Sequence, residues 1–149
     1  LGHVEIVERS ARLFSKVLVA VGQHPLKRGF FTTEERVDLI SRSIDSIPNA
    51  EACSYEGLTL DFCRARGATV IIRGLRAVAD FDGEFQMGLA NRDLAPEIET
   101  IFLIPRPSLQ FISSSLIREI AMYGGSFSRY VTKPVEDALR ERYAERPIG

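Results

Sequence analysis

An α/β fold built on a doubly wound parallel sheet is the class this chain predicts, and three observations carry it. Short apolar runs rich in β-branched residues alternate with segments of helical periodicity. No hairpin signal separates successive runs, so the strands are expected to run parallel, with helices on both faces of the sheet. The 149 residues fit one domain, and a chain of that size buries roughly 68–70% of its extended surface on folding.

Each element follows in order. Val4, Val7, Ala11 and Phe14 recur at helical spacing, giving a helix over 4–14. Lys16–Val21 is a short apolar strand. Thr32 and Glu35 have capping-box spacing; Val37, Ile40, Ile44 and Ile47 follow on one face, and Pro48-Asn49 closes that helix. Ala50–Tyr55 is a weaker strand, and Leu58–Arg66 a short helix stopped at Gly67. Thr69–Arg73 is the clearest strand. Ala79–Leu94 is a helix despite Gly83 and Gly88. Thr100–Ile104 is a fourth strand. Ser114–Tyr123 is a helix ended by Gly124-Gly125, and Pro134 opens a last helix, Val135–Ala144. The chain thus opens on a helix, where a doubly wound unit opens on a strand.

Composition narrows the function. Hydrophobic residues make up 45% and charged residues 26%, as in an ordinary globular protein. A net charge of -1 provides no global basic field for nucleic acid or an anionic membrane, so any polyanion site must be a local cluster. No apolar run approaches the ~18–20 residues that span a bilayer, and no signal-peptide pattern is present. Cys53 and Cys63 belong to no metal or redox spacing and read as reduced thiols, which predicts a cytoplasmic protein.

Open parallel sheets bind ligands at the carboxyl ends of their strands. After the first strand run comes a loop with two cations, Lys27 and Arg28; its His24 is read as a surface residue without a role. After the third comes Arg73-Gly74-Leu75-Arg76, in which arginines suit phosphate and the glycine admits a close approach. A salt-bridged structural pair is the plain alternative. After the fourth, Ser113-Ser114-Ser115 opens a helix with Arg118 about one turn inside. That fits either anion binding at a helix N-terminus or simple capping. Gly2-His3 opens the first helix. All these groups lie at strand ends or helix starts, and phosphoryl and nucleotidyl transfer require little beyond positive groups and donors so arranged. The Walker A and GxGxxG patterns are absent.

Gly2-His3, FTTEER after Lys27, IIRGLRAVADFDGE at 71–84, Asn91-Arg92 and FISSSLIRE at 111–119 together resemble the bacterial phosphopantetheine adenylyltransferases. The likeness runs over essentially the whole chain. It implies a Rossmann-like single domain and transfer of AMP from ATP to 4'-phosphopantetheine, giving dephospho-coenzyme A and pyrophosphate. It also implies Mg²⁺, a homohexamer, possible competition by coenzyme A, and no nucleic acid or membrane partner. By position, His3 would be the catalytic residue, stabilising charge on the α-phosphate. Lys27 and Arg73 would hold the phosphopantetheine phosphate, and Leu58 and Thr59 would contact the pantetheine arm. Gly74, Leu75, Arg76 and Glu84 would line the ATP site with His3, and Leu109, Gln110, Phe111, Ile112, Ser113, Ser114 and Ser115 would contact ATP. Glu84 suits a ribose or metal-water contact, its alternative being a helix surface charge. No side chain is assigned as a direct metal ligand.

The family has a first strand and a hydroxyl-bearing loop ahead of its (T/H)xGH motif. A natural N-terminal segment of roughly 15–20 residues, the length of one strand and loop, is therefore expected before Leu1. Competing readings are a transferase acting on another acceptor, a non-catalytic nucleotide- or coenzyme A-binding module, and an α/β protein whose serines only cap.

Overall fold

A computed structural model describes residues 1–23 and 29–144. The elements run α1 (Gly2–Leu13), β1 (Val17–Gly22), α2 (Thr33–Ser43), β2 (Ala50–Tyr55), α3 (Thr59–Arg66), β3 (Val70–Gly74), α4 (Val78–Leu94), β4 (Glu99–Leu103), α5 (Pro107–Gln110), α6 (Ser114–Met122) and α7 (Lys133–Ala144). A single 3-10 turn, Ser128–Tyr130, precedes α7.

The alternation of helix and parallel strand is as expected. β1 pairs with β2 from Val17↔Ala50 to Gly22↔Tyr55, and β3 pairs with β4 from Val70↔Glu99 to Gly74↔Leu103. The continuity of the sheet differs. Among the described residues the strands form two separate two-stranded sheets, and no backbone ladder joins them. Strand edges outside a ladder leave N–H and C=O groups to be satisfied elsewhere. Helix α1 lies against both β1 and β3 and so spans the two pairs.

Local chemistry explains the helix ends. Thr32 and Glu35 form the expected capping box: the Thr32 N–H donates to Glu35 Oε2 at 2.7 Å, and the Glu35 N–H to Thr32 Oγ1 at 3.2 Å. Helix α2 stops at Ser43, short of the expected end near Pro48. Ile44 is buried all the same, so the apolar spacing continued past the helix. A turn closed by the Ile47 N–H on the Ile44 carbonyl, 2.9 Å, replaces the last helical turn, and Pro48 disfavours helical backbone at Ile47. Gly67 ends α3 in the left-handed region, φ 65°. That conformation lets the Ala68 N–H reach the Cys63 carbonyl at 2.8 Å. Helix α5 and the 3-10 turn are too short for periodicity to reveal.

Apolar packing divides into two centres. One gathers Leu60, Cys63, Ala95 and Ile98, with Ala68 and Ile71 against it. The other gathers Ile117, Ala121, Phe127 and Leu139, flanked by Phe30, Phe31 and Tyr143. Neither cysteine is bridged, and burial raises the pKa of both thiols, favouring the inert protonated form. Arg142 on α7 donates to the Phe30 carbonyl and pairs with Glu35 at the start of α2.

Helix α1 is held by polar contacts along its length. The Glu5 carboxylate is buried; it accepts the Arg106 N–H at 3.0 Å and faces the Arg106 guanidinium at 3.4 Å. Arg9 donates to the Ile104 carbonyl at 2.6 Å. The Asn49 amide donates to the carbonyls of Ala11 (2.8 Å) and Phe14 (2.9 Å), satisfying groups at the helix C-terminus. Removing one partner of a buried polar contact costs the desolvation of the other. Glu5→Ala should therefore lower unfolding free energy by about 1–3 kcal/mol in urea denaturation. Glu5→Gln, which keeps an acceptor, should recover part of the loss. An equal loss in both variants would show that the acceptor for Arg106 is unimportant.

Candidate active site

The site forms where β3 ends, because three separate segments meet there. Gly74 lies against α1: a Cβ placed on it would touch Ile6 Cγ1 at 3.6 Å. That is an ordinary van der Waals contact, so the packing of α1 does not by itself require glycine at this position. The Leu75 N–H continues toward β4, donating to the Leu103 carbonyl at 2.9 Å. Arg76 donates through Nη1 to the Ile112 carbonyl at 3.2 Å, joining the end of β3 to the segment that opens α6. A Cβ on Gly2 would come within 4.0 Å of the Leu109 carbonyl, so the start of α1 abuts the same segment. His3, Gly74, Leu75, Arg76 and the stretch from Leu109 to Ser115 are thereby brought together.

His3 occupies the first turn of α1. Its pKa is held below the ordinary value, first by loss of water around the ring, next by the ammonium of Leu1, and then by Arg76, Arg73 and Arg36. The imidazole is neutral at neutral pH and can offer one ring N–H as a donor. Sequence reasoning assigned no role to Arg36, which sits on α2 within FTTEER. Its field at His3 becomes apparent only once α1 and α2 are placed.

The two arginines of the β3 end are paired. Arg73 meets Glu84 side-on, Nε to Oε2 at 2.8 Å and Nη2 to Oε1 at 2.6 Å. The hydrogen bond from Arg73 is the main reason the Glu84 carboxyl lies below its usual range, and the same bond raises Arg73. Arg76 Nε meets Asp80 Oδ2 at 2.9 Å. The salt-bridged reading of Arg73 is thus the arrangement seen, and Glu84 is an ion-pair partner rather than a free helix charge. Asp80 escaped the sequence reading because only the turn from β3 into α4 brings it back to Arg76.

At the start of α6, Ser113 is the N-cap, its Oγ accepting the Leu116 N–H at 3.1 Å. Ser114 and Ser115 are exposed in the first helical turn. Capping therefore accounts for one serine of the three. Leu58 and Thr59 stand at the start of α3, and Leu58 is exposed. Thr59 Oγ1 is 2.7 Å from the Tyr55 hydroxyl. Tyr55 is the last residue of β2 and also influences Arg73 electrostatically, linking this region with the end of β3. Lys27 and His24 lie outside the described residues. Among the described residues, no three His, Cys, Asp or Glu side chains gather as a metal cage would require.

Two measurements test this arrangement. The chain has two histidines, so their ring protons can be followed by NMR titration. His3 should titrate below the ordinary histidine range in the free protein, and pyrophosphate should raise it, since an anion favours the imidazolium. An unchanged titration in saturating pyrophosphate would remove His3 from the anion site. Ser113→Ala should lower thermal stability by about 0.5–2 kcal/mol through loss of the cap, whereas Ser114→Ala and Ser115→Ala should leave it unchanged.

Comparison with known proteins bears on the same residues. A family model described as cytidylyltransferase-like matches residues 1–120. The phosphopantetheine adenylyltransferase of Carboxydothermus hydrogenoformans is 47% identical over 142 residues, covering 95% of this chain and 88% of that protein. The enzyme of the same name from Desulforudis audaxviator is 43% identical over 148 residues, covering 99% and 91%. That from Thioalkalivibrio sulfidiphilus is 48% identical over 141 residues, covering 95% and 89%. A strand-end site rich in arginine, a histidine-bearing helix start and an identity of this extent along the chain agree: it belongs to the cytidylyltransferase-like family and, within it, to the phosphopantetheine adenylyltransferases.

Proposed function

We infer that this chain transfers the adenylyl group of ATP to 4'-phosphopantetheine, forming dephospho-coenzyme A and pyrophosphate, a late step of coenzyme A synthesis. The observation that carries this is the meeting of His3, Arg73, Arg76 and the α6 N-terminus at one strand end, in a chain 43–48% identical to enzymes named for the reaction. An acceptor phosphate oxygen attacks the α-phosphorus of ATP, a new P–O bond forms, and pyrophosphate leaves. Both reactants are anions, so their approach is opposed by charge. Arg73, with Lys27, would hold the acceptor phosphate, and Leu58 and Thr59 the pantetheine arm. His3 would donate a hydrogen bond to the α-phosphate as charge builds there. Arg76, Gly74 and Leu75 would bound the nucleotide with Leu109, Gln110, Phe111 and Ile112. Ser114, Ser115 and the free N–H groups of α6 would face the triphosphate. No enzyme nucleophile is needed; positioning and fixed charge supply the catalysis.

Mg²⁺ would enter with ATP. A hard cation that retains waters and is held mainly by substrate phosphates fits a site whose nearby carboxylates, Asp80 and Glu84, already serve arginines. It would offset phosphate charge. The protein is further proposed to be cytoplasmic and to assemble as a homohexamer. Among the described residues no helix is long and apolar enough to cross a membrane. Support for assembly is the exposed apolar surface of α4, where Phe81, Phe85, Met87, Leu89 and Leu94 lie open to solvent.

Pyrophosphate release from ATP with 4'-phosphopantetheine as acceptor is the direct assay. His3→Ala and Arg73→Ala should each lower kcat/KM about 10²–10³-fold. Turnover with nicotinamide mononucleotide or a sugar phosphate, but none with 4'-phosphopantetheine, would contradict the acceptor assignment. Retained ATP or coenzyme A binding with no turnover would instead mark a binding module. Light scattering should give six times the monomer mass, and a charged substitution at Phe85 should reduce it.

A further inference from the structure

We propose that Glu84 is the resident anion of the Arg73 site, occupying the guanidinium until a substrate phosphate displaces it. This rests on the reading of Arg73 as the residue that holds the acceptor phosphate. The geometry is that of a stand-in ligand. Arg73 Nε and Nη2 donate to the two carboxylate oxygens at 2.8 and 2.6 Å, the side-on fork that the same guanidinium would offer a phosphate. The Arg73 side chain is 52% exposed. The Glu84 side chain is 21% exposed, so it is the guanidinium half of the pair that stands open to water and that an incoming anion can reach.

Asp80, four residues before Glu84 on α4, takes Arg76 through a single bond, from Nε at 2.9 Å. The carboxylates at 80 and 84 stand one turn apart on the same helix face. Each pairs with one arginine of the RGLR segment, in a region where the charge of Arg36 also bears on His3. A helix that matches each cation with an acid keeps the empty site near neutral charge. The consequence is selectivity. Free phosphate gains only the guanidinium and must displace Glu84 to do so. A ligand held also by its pantetheine arm has binding energy to spare for that exchange.

Calorimetric titration of the full chain with inorganic phosphate, and separately with 4'-phosphopantetheine, tests the idea in four proteins: wild type, Glu84→Gln, Arg73→Ala and the double variant. Glu84→Gln should bind phosphate roughly three- to tenfold more tightly, the scale of one well-formed ion pair. The gain should vanish in the double variant, because Arg73 is where it acts. Circular dichroism checks that each protein is folded, and Glu84→Ala repeats the measurement should the glutamine variant fold poorly. Unchanged or weaker phosphate binding in Glu84→Gln overturns the proposal and makes Glu84 a positioning residue that steadies Arg73. If Arg73→Ala binds 4'-phosphopantetheine as tightly as wild type, it is the Arg73 assignment that fails, whatever Glu84 does.

Discussion

Helix α1 is the element on which the rest depends. The two strand pairs share no backbone ladder among the described residues, and α1 lies against both. Its hold is polar as much as apolar. A buried Glu5 takes the Arg106 N–H, Arg9 reaches the Ile104 carbonyl, and Asn49 closes the far end. These contacts tie α1 to residues just after β4 and just before β2. The helix that joins the two halves also carries His3 in its first turn. Fold stability and the placement of the imidazole therefore share one set of interactions, and a loosened α1 would degrade both.

The site works by balanced charge. Arginines and a neutral histidine crowd one strand end, yet two acids on α4 compensate the arginines. On the proposed function a dianionic acceptor and a triphosphate would meet there, which asks for positive potential that is local and redirectable. A chain of net charge -1 provides it through placement rather than excess. Ser113 contributes by securing the α6 start, which keeps that helix's unpaired N–H groups aimed at the same space.

Much of this was legible in the sequence, for identifiable reasons. Three of the strands read clearly because each is a short run of Val, Ile and Leu, although most of those side chains are only partly buried in the structure, and the capping box at Thr32 and Glu35 marked the start of α2. Ile44 misled because burial continued after the helix had ended. Helix α5 spans four residues, too few for a period to show. At the site, strand-end position identified Arg73, Arg76 and the serine helix. It could not reveal Asp80, Tyr55 or Arg36, whose relevance comes only from chain reversals that bring them beside residues already marked. Nor could it decide between phosphate holder and ion pair for Arg73. The structure shows a guanidinium paired with Glu84, in a geometry a phosphate could inherit. Lys27 falls outside the described residues, so its place beside Arg73 rests on the resemblance.

The contact between α7 and the start of α2 bears on how truncation experiments are read. Glu35 completes the capping box with one carboxylate oxygen, and Arg142, over a hundred positions later in the chain, takes the other. The rings of Phe30 and Tyr143 stack with centroids 5.3 Å apart, and Phe31 meets Phe30 edge-on at 4.9 Å. The segment from Phe30 to Glu35 is thus anchored by α7. Trimming the C-terminal helix would unsettle the start of α2, and with it Arg36, whose charge bears on His3. A deletion mapped there would mimic an active-site lesion, and chain position alone would be a poor guide to where the damage lies.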